Sequence, residues 1–581
     1  MAKKILYPPA ADPQKFKALK EALGIRDVFI RLLLQRGIET FGEARRFFRP
    51  SVDQLHDPRL MKDMDKAVDR IRRALKNNER ILVYGDYDVD GTTAVAAMYA
   101  FLRDRLGHTA LEFYIPDRYT EGYGVSFKGV EYARENGFSL IIALDCGVKS
   151  VDKVARAKSY GIDFIVCDHH LPGPVLPETV AMLNPKQADC PYPYKELSGC
   201  GIGFKLMQAL ADASGLPGES ALEYLDLAAI SACADIVPLT GENRVITALG
   251  LRRMEAGFRP GIAALLAEAK FNRHKPLSVE DVVFVIAPRI NAAGRLEHGK
   301  AAVKLLIAPE GTAASFNAEA LNTHNKDRRE LDKTITSEAL SLLEKDPDYG
   351  QRKSTVVFQP HWHKGVVGIV ASRLIETHYR PTVVLTESNG KVTGSARSVK
   401  GFDLYAAMEA CIDLFDHFGG HMHAAGVTMP PENVDAFKSR FDEAVSARIT
   451  DEQLVPVVEA DAVLPLTEVN EAFFNVLKQF APFGPGNMNP VFVSEEVRIY
   501  NGGVRVVGDD HLQMQVWNAD KKSAAFKAIA FKQGRRFGEV QQCETLKICY
   551  SVNENVFAPS EDRIIRTLDL DIKEIIIRTG P

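Results

Sequence analysis

The chain has 581 residues, 46% hydrophobic and 25% charged, with a formal net charge of −4. That length calls for three or four domains rather than one core, the balanced composition excludes a disordered or fibrous chain, and the small net charge excludes a uniformly basic surface, so any nucleic-acid contact must be a local patch. The eight cysteines, at 146, 167, 190, 200, 233, 411, 543 and 549, form no CxxC pair, which excludes zinc-ribbon and thioredoxin-like sites and fits free thiols in a reducing compartment.

Residues 1–60 carry short helical patterns at Val28–Leu34 and Phe41–Phe48 and are expected to form a helical cap on the domain that follows. The first nine residues lack the apolar core of a signal peptide, and no apolar run is long enough to span a bilayer, so a soluble cytoplasmic protein with no membrane partner is expected. A first domain over 61–250 opens with an amphipathic helix that puts Met61, Met64, Ala67, Val68, Ile71 and Leu75 on one face. Strands are expected at 81–85, 110–115, 139–144, 163–167 and 179–183 with helices between them, which implies a parallel, doubly wound α/β sheet. Helices dominate 251–345 and end in one long helix near 313–345, roughly 45 Å at 1.5 Å per residue, expected to join two lobes. A second, smaller α/β domain follows over 346–450. Short strands separated by turns over 451–581 predict a small closed β-barrel.

The chemistry gathers at the predicted strand ends. Ile81-Leu-Val-Tyr-Gly-Asp-Tyr-Asp-Val-Asp-Gly91 runs from an apolar strand into Asp86, Asp88 and Asp90, spaced at every second position. If the segment stays extended, those three carboxylates point one way. Like charges that close resist ionising unless a cation sits among them, and oxygen-rich sites suit Mg²⁺ or Mn²⁺. A lone Asp/Gly cluster is more often a solvated turn. Here, however, Ser139–Leu144 ends in Asp145, Asp163–Cys167 ends in Asp168, His169 and His170, and the helical run Leu225–Ala234 ends in Asp235. The carboxyl ends of parallel strands are where ligands bind, and this set offers enough ligands for two metal ions.

Tyr84-Gly-Asp-Tyr-Asp-Val-Asp-Gly91, Asp145-Cys-Gly147 and Asp168-His-His170 resemble the signature motifs of the DHH phosphoesterase family, and Ala234-Asp-Ile-Val-Pro238 resembles its fourth motif. The resemblance extends over nearly the whole chain and is to the family's single-strand-specific DNA exonucleases. It implies a DHH domain, a DHHA1 domain at 346–450 and an OB-fold barrel at the end, with the Pro482-Phe-Gly-Pro-Gly-Asn487 stretch part of the barrel likeness. It implies hydrolysis of single-stranded DNA from the 5′ end with two Mn²⁺ or Mg²⁺ ions, with Asp88, Asp90, Asp145, His169 and Asp235 as ligands and Asp86 as another ligand or a support. Asp168 would orient an imidazole from behind, and His170 would face the scissile phosphate. It also implies repair and recombination work beside a helicase and a single-stranded-DNA-binding protein, with the chain acting as a monomer. The readings in competition are a DHH-family phosphodiesterase for short oligonucleotides or cyclic dinucleotides, and a replication scaffold that has lost its chemistry.

Substrate contacts are expected elsewhere. Arg118 directly follows the strand at 110–115, which puts it on the metal rim; the resemblance implies that it binds the terminal phosphate, with Tyr123 either stacking on a base or packed as a loop aromatic. Pro288-Arg-Ile-Asn-Ala-Ala-Gly-Arg295 resembles the family's fifth block; small residues would let backbone amides approach an anion, with Arg289, Asn291 and Arg295 around it. Gly394-Ser-Ala-Arg-Ser398 and Gly419-Gly-His-Met-His-Ala-Ala-Gly426 resemble the two hallmark loops of DHHA1 domains. Ser395 and Arg397 are the candidates there for a 5′-phosphate pocket, and His421 for a phosphate contact. Trp362 is a core candidate and Arg373 is expected on the following helix. In the barrel, Lys521, Lys522, Lys527, Lys532, Arg535 and Arg536, near Tyr500, Trp517, Phe526 and Phe531, have the charge and rings of a single-strand groove.

Overall fold

The structure, a computed structural model, describes residues 3–577 apart from 297, 509, 521, 561 and 562; Lys521 therefore lies outside the described residues. The chain forms two compact units, one of residues 8–324 with 461–581 and one of residues 1–7 with 325–460. No described helix is long and apolar enough to cross a membrane.

In the larger unit, five parallel strands stand in the order Leu111–Tyr114, Ile81–Gly85, Leu140–Leu144, Asp163–Cys167, Ala181–Leu183. Each of the five predicted strands is present within one or two residues. Their apolar runs are continuous because both faces are covered. Alternate side chains feed two separate cores. Ile81, Val83, Leu140, Ile142 and Ile165 pack with the helices Met64–Lys76, Val89–Ala100, Gly199–Ala213 and Leu225–Ala234. Leu82, Tyr84, Ile141, Ala143, Phe164 and Val166 pack with Val130, Ala133, Val154 and Ala157 of the helices on the opposite face. Strand order reverses between Ile81–Gly85 and Leu140–Leu144, so Asp86 and Asp145 emerge side by side at the switch point, where such sheets bind ligands.

The C-terminal strands Phe492–Val507, His511–Asn518, Phe526–Ala530, Arg563–Ile577 and Leu546–Ser560 pair in that order, and the last pairs back to the first. The sheet closes into the expected barrel. Its core is not its own. Phe29, Ile30, Leu32 and Leu33 of the helix Asp27–Gln35 are buried with Phe473, Phe480, Phe492 and Tyr550, and Phe29 stacks on Phe473 at 5.0 Å. The N-terminal helices thus complete the barrel domain, while the Phe47 carbonyl and the His56 amide also bond Arg244 and Glu242 of the domain that follows in sequence. They are short and apolar on one face, and that pattern does not say which partner buries it.

The smaller unit holds a five-stranded sheet in the order His417–His421, Ala424–Met429, Lys391–Arg397, Thr382–Ser388, Thr355–Phe358. Only the last pair is parallel. Trp362 is buried, with its indole N–H on Glu338 Oε2 at 2.8 Å, and Arg373 lies on the helix Val367–Thr377 and pairs with Asp332 at 2.9 Å. The long helix expected near 313–345 is Thr312–Glu344, 33 residues, and the division between units falls within it.

Candidate metal centre

The strand Ile81–Gly85 stops at its last glycine, and the helix Val89–Ala100 begins after three intervening residues. Asp88 is the N-cap, its Oδ1 accepting from the Gly91 N–H at 3.0 Å, and Asp90 sits in the first turn. The extended, period-two reading of Asp86, Asp88 and Asp90 is therefore incorrect: a strand–turn–helix bend, not strand alternation, brings them together. The N-capping preference of aspartate in the following helix outweighed the continuation of the strand. Gly91 permits the bend, because a Cβ there would lie 2.5 Å from the Asp86 carbonyl oxygen. Thr92 and Thr93 bond back to the carbonyls of Asp88 and Val89 and are structural.

Around this bend the other expected residues converge. His169 Nε2 lies 3.2 Å from Asp145 Oδ1, 3.5 Å from Asp235 Oδ2 and 3.7 Å from Asp90 Oδ2. Two overlapping groups have metal-ligand spacing, Asp145–His169–His170 and Asp90–His169–Asp235. His170 is thus close enough to share a cation, besides the phosphate-facing place expected for it. Asp145 is held at φ 60°, a left-handed conformation uncommon outside glycine, asparagine and aspartate, which turns its carboxylate inward from the strand end.

The donor set fits hard divalent ions. Asp86 Oδ2, Asp145 Oδ1 and both nitrogens of His169 are buried without a hydrogen-bond partner. Buried polar atoms are almost always satisfied, and orphaned carboxylate oxygens beside an imidazole are what a cation would satisfy. Burial first, and then the charges of neighbouring acids, push the Asp86, Asp88 and Asp145 carboxyls above their ordinary range and bring Asp235 up to about 8. Burial lowers His169 despite the Asp90 charge, leaving the neutral imidazole that metal coordination requires.

Asp90 is fixed from beneath. Its oxygens accept from the Gly199 and Cys200 N–H groups, both at 2.7 Å, and from Ser231 Oγ at 2.6 Å. The first two belong to the N-terminus of the helix Gly199–Ala213, whose dipole favours the negative charge. Gly199 must be glycine: a Cβ would stand 2.6 Å from the Asp145 Cβ. The sequence reading missed these supports, although Ser198-Gly-Cys-Gly201 opening an apolar helix was a visible N-cap signal.

Asp168 plays the orienting role expected of it, and the imidazole it holds is His170. Asp168 Oδ1 lies 2.7 Å from His170 Nδ1, and its Oδ2 accepts from the Val148 N–H at 2.8 Å. Burial works against the charge on both, yet their mutual hydrogen bond keeps Asp168 low and His170 high. His170 Nε2 meets the Tyr123 hydroxyl at 3.0 Å, and that hydroxyl lies 3.1 Å from the Asp145 carbonyl. With His170 protonated, every contact along this chain pairs one donor with one acceptor.

Beyond the ligands, Ile236 follows Asp235 at φ 60° and is 65% exposed. A β-branched residue in that conformation costs about 1–2 kcal/mol, and nothing in the sequence pattern announced it. Arg118 lies over the Tyr87 ring at 4.8 Å, with its charge acting on Asp86, so it stands on the metal rim as expected. Arg289, Asn291 and Arg295 lie on the helix Ala287–Leu296, within the stretch expected to be mainly helical. Ala292 and Ala293 are buried, and a Cβ on Gly294 would be 2.8 Å from the Tyr87 carbonyl oxygen; the small residues let this helix close on the metal loop. Arg289 is held by Asn322 at 3.0 Å, and the Arg295 carbonyl accepts from the Tyr119 hydroxyl.

In the smaller unit, Ser395 and Arg397 lie on the strand Lys391–Arg397 and His421 on His417–His421, with Ala424–Met429 between them, rather than in loops. A Cβ on Gly368 would be 2.9 Å from an Arg397 guanidinium nitrogen and 3.2 Å from Ser395 Oγ. The first turn of Val367–Thr377 therefore lies directly against them, an anion-binding combination of helix N-terminus, guanidinium and hydroxyl. Partial burial, then His423 and Arg397, depress the His421 imidazole. In the barrel, Phe526 is core and Arg536 is committed to Glu574 and the Ile575 carbonyl, so neither serves a groove. Trp517 and Tyr500 meet edge-on at 4.8 Å, and Phe531 is exposed.

The sequence matches the DHH family N-terminal domain over residues 80–232, the DHHA1 domain over 352–447 and the RecJ OB domain over 460–564. It is 38% identical over 527 residues to the single-stranded-DNA-specific exonuclease RecJ of Bacillus subtilis, covering 90% of this chain and 65% of that protein. It is 36% identical over 506 residues to the protein of the same name from Dickeya dadantii, covering 84% of this chain and 86% of the relative. Its fold matches the crystal structure of RecJ from Thermus thermophilus in complex with Mn²⁺, with a TM-score of 0.82 and 27% identity over 99% of this chain and 80% of that one; the same protein is also known with Mg²⁺. With the three domain types in the same order and identity above one third along most of its length, the chain belongs to the RecJ family of DHH phosphoesterases.

Proposed function

We propose that this chain, a single-stranded-DNA-specific exonuclease by family, hydrolyses phosphodiester bonds from the 5′ end and releases 5′-mononucleotides in DNA repair and recombination. The observation that carries the reading is the convergence of Asp86, Asp88, Asp90, Asp145, His169 and Asp235 at one sheet switch point, with buried oxygens and imidazole nitrogens left for a cation.

Those six residues would hold Mn²⁺ or Mg²⁺, and two such ions would supply an activated water and stabilise the charge that develops on phosphorus. The chain's own residues do the rest. Asp90, fixed by two amides and a hydroxyl, sets the geometry of the group. His170, hydrogen-bonded to Asp168, whose charge favours the protonated imidazole, stands at the mouth of the site, suited to a phosphate oxygen. Arg118 adds a guanidinium on the same rim. Ser395, Arg397 and the helix N-terminus beside them fit a terminal 5′-phosphate, with His421 as a further contact, and Arg289, Asn291 and Arg295 are placed for the phosphodiester backbone. The barrel, with Trp517, Tyr500 and Phe531, guides the unpaired strand. The eight cysteines are all free, which agrees with a cytoplasmic setting. We place the chain there as a monomer working beside a helicase and a single-stranded-DNA-binding protein.

The test is digestion of a long single-stranded DNA carrying a 5′-phosphate, labelled at either end, in Mn²⁺ or Mg²⁺. Early release of the 5′ label as a mononucleotide, with stepwise shortening of the 3′-labelled strand, is expected, and Asp145→Ala should abolish it. Turnover confined to dinucleotides or cyclic dinucleotides would refute the reading in favour of a small-substrate phosphodiesterase.

A further inference from the structure

Three exposed apolar side chains stand around the buried acidic centre on three separate loops. Ile236 adjoins Asp235 and is 65% exposed; Leu171 adjoins His170 and is 69% exposed; Tyr123, bonded to His170, is 52% exposed. Ile236 is the most telling. It occupies the first position beyond the helix Leu225–Ala234 and its Asp235 cap, with φ 60°, a place that glycine normally takes. Its side chain projects into solvent, so no packing within the chain offsets the strain. Strain retained at a β-branched residue beside a metal ligand points to a function for the side chain itself. The ligand that suits this rim carries a phosphate for the centre and an apolar or aromatic face directly beside it. A nucleotide of an unpaired strand has both, whereas in a duplex the base faces are stacked on their neighbours.

We infer that Ile236 is a specificity-determining residue, packing against the sugar and base that flank the scissile phosphate, with Leu171 as a second apolar contact from another loop. Cleavage then requires a base free to leave its stack, and the preference for single strands is set partly at the catalytic rim. This rests on the exonuclease reading above and adds to it residues that touch the base rather than the phosphate.

Ile236→Gly separates this role from a structural one, because glycine relieves the strain. The variant should keep or raise the thermal midpoint and bind Mn²⁺ with wild-type affinity. Its kcat/KM on an ordinary single-stranded oligonucleotide should fall about tenfold, the scale of a lost apolar contact in a recognition site. On an oligonucleotide whose two 5′-terminal nucleotides are abasic, wild type and variant should be equal. Leu171→Ser, on a different loop, should show the same base-dependent loss. Wild-type kcat/KM in Ile236→Gly, or an equal loss on normal and abasic strands, would overturn the inference. Wild-type enzyme inert on both strands would instead remove the exonuclease reading on which it stands.

Discussion

Gly199→Ala offers the sharpest test of how the centre is held. The added methyl would stand 2.6 Å from the Asp145 Cβ, 2.7 Å from its Oδ1 and 2.8 Å from its Cα. Restoring ordinary contact at about 3.4 Å requires a relative shift of about 0.8 Å between the helix Gly199–Ala213 and the strand end carrying Asp145, and misplacement near 1 Å typically costs about 100-fold in rate. The same helix delivers the Gly199 and Cys200 N–H groups to Asp90, so any movement disturbs Asp90 and Asp145 together. Global stability should change little. Alanine gains about 1 kcal/mol in helix propensity against about 1–3 kcal/mol of overpacking. Gly42→Ala is the matched control, a helical glycine with nothing within 4 Å of the added Cβ, expected to leave nuclease activity unchanged. The assays are nucleotide release from single-stranded DNA, Mn²⁺ titration calorimetry and urea unfolding. The expected result is a loss of roughly 100-fold in activity with weakened Mn²⁺ binding and near-native stability. Activity of Gly199→Ala within twofold of wild type would refute the claim that this contact sets the ligand geometry.

Asp168→Asn keeps the shape of the carboxylate but removes the charge that favours a protonated His170 and one of the two acceptor oxygens, so kcat should fall by about 10- to 100-fold while calorimetry still shows metal binding. Arg244→Met removes a buried guanidinium that donates to the carbonyls of Phe47, Phe480 and Ala481. Leaving three carbonyls unmet should cost about 3 kcal/mol or more in a urea melt, and an unshifted midpoint would show that the clamp is dispensable. The Glu79 carboxyl is raised by burial, but hydrogen bonds from Ser139 and Arg70 outweigh this and hold it below its ordinary value. A carboxyl so lowered contributes stability that is complete above its unfolded pKa and drains away as pH falls through the folded one. Glu79→Gln should therefore lose less stability than wild type between about pH 5 and pH 3, read from unfolding midpoints across that range.

Much of this molecule was legible in its sequence because burial on both faces of a parallel sheet writes continuous apolar runs, and acids at their ends interrupt those runs visibly. The five strands, the long helix, the closed barrel and the gathering of Asp86, Asp88, Asp90, Asp145, His169 and Asp235 were read this way. What was misread shares one cause. Asp90 was placed on an extended segment because spacing alone does not reveal where an N-cap ends a strand. The small residues of Pro288–Arg295 were read as room for an anion, whereas Gly294 serves close packing against Tyr87, two hundred residues away in sequence. The N-terminal helices announced an apolar face without naming its partner. The pairing of Asp168 with His170, and the strain at Ile236, are matters of local geometry to which composition is blind.

The shared core of the N-terminal helices and the barrel bears on how the chain is made. Phe29, Leu32 and Leu33 leave the ribosome early, but their partners near Tyr550 and Ile572 are synthesised more than five hundred residues later. At about 5–20 residues per second, that is a wait of roughly half a minute to two minutes, during which the parallel sheet can fold while this apolar helix has nothing to pack against. A nascent chain of this design needs either a chaperone at its first sixty residues or a temporary resting place for them on the sheet domain, and slowing elongation over the barrel should lower its soluble yield more than slowing it elsewhere.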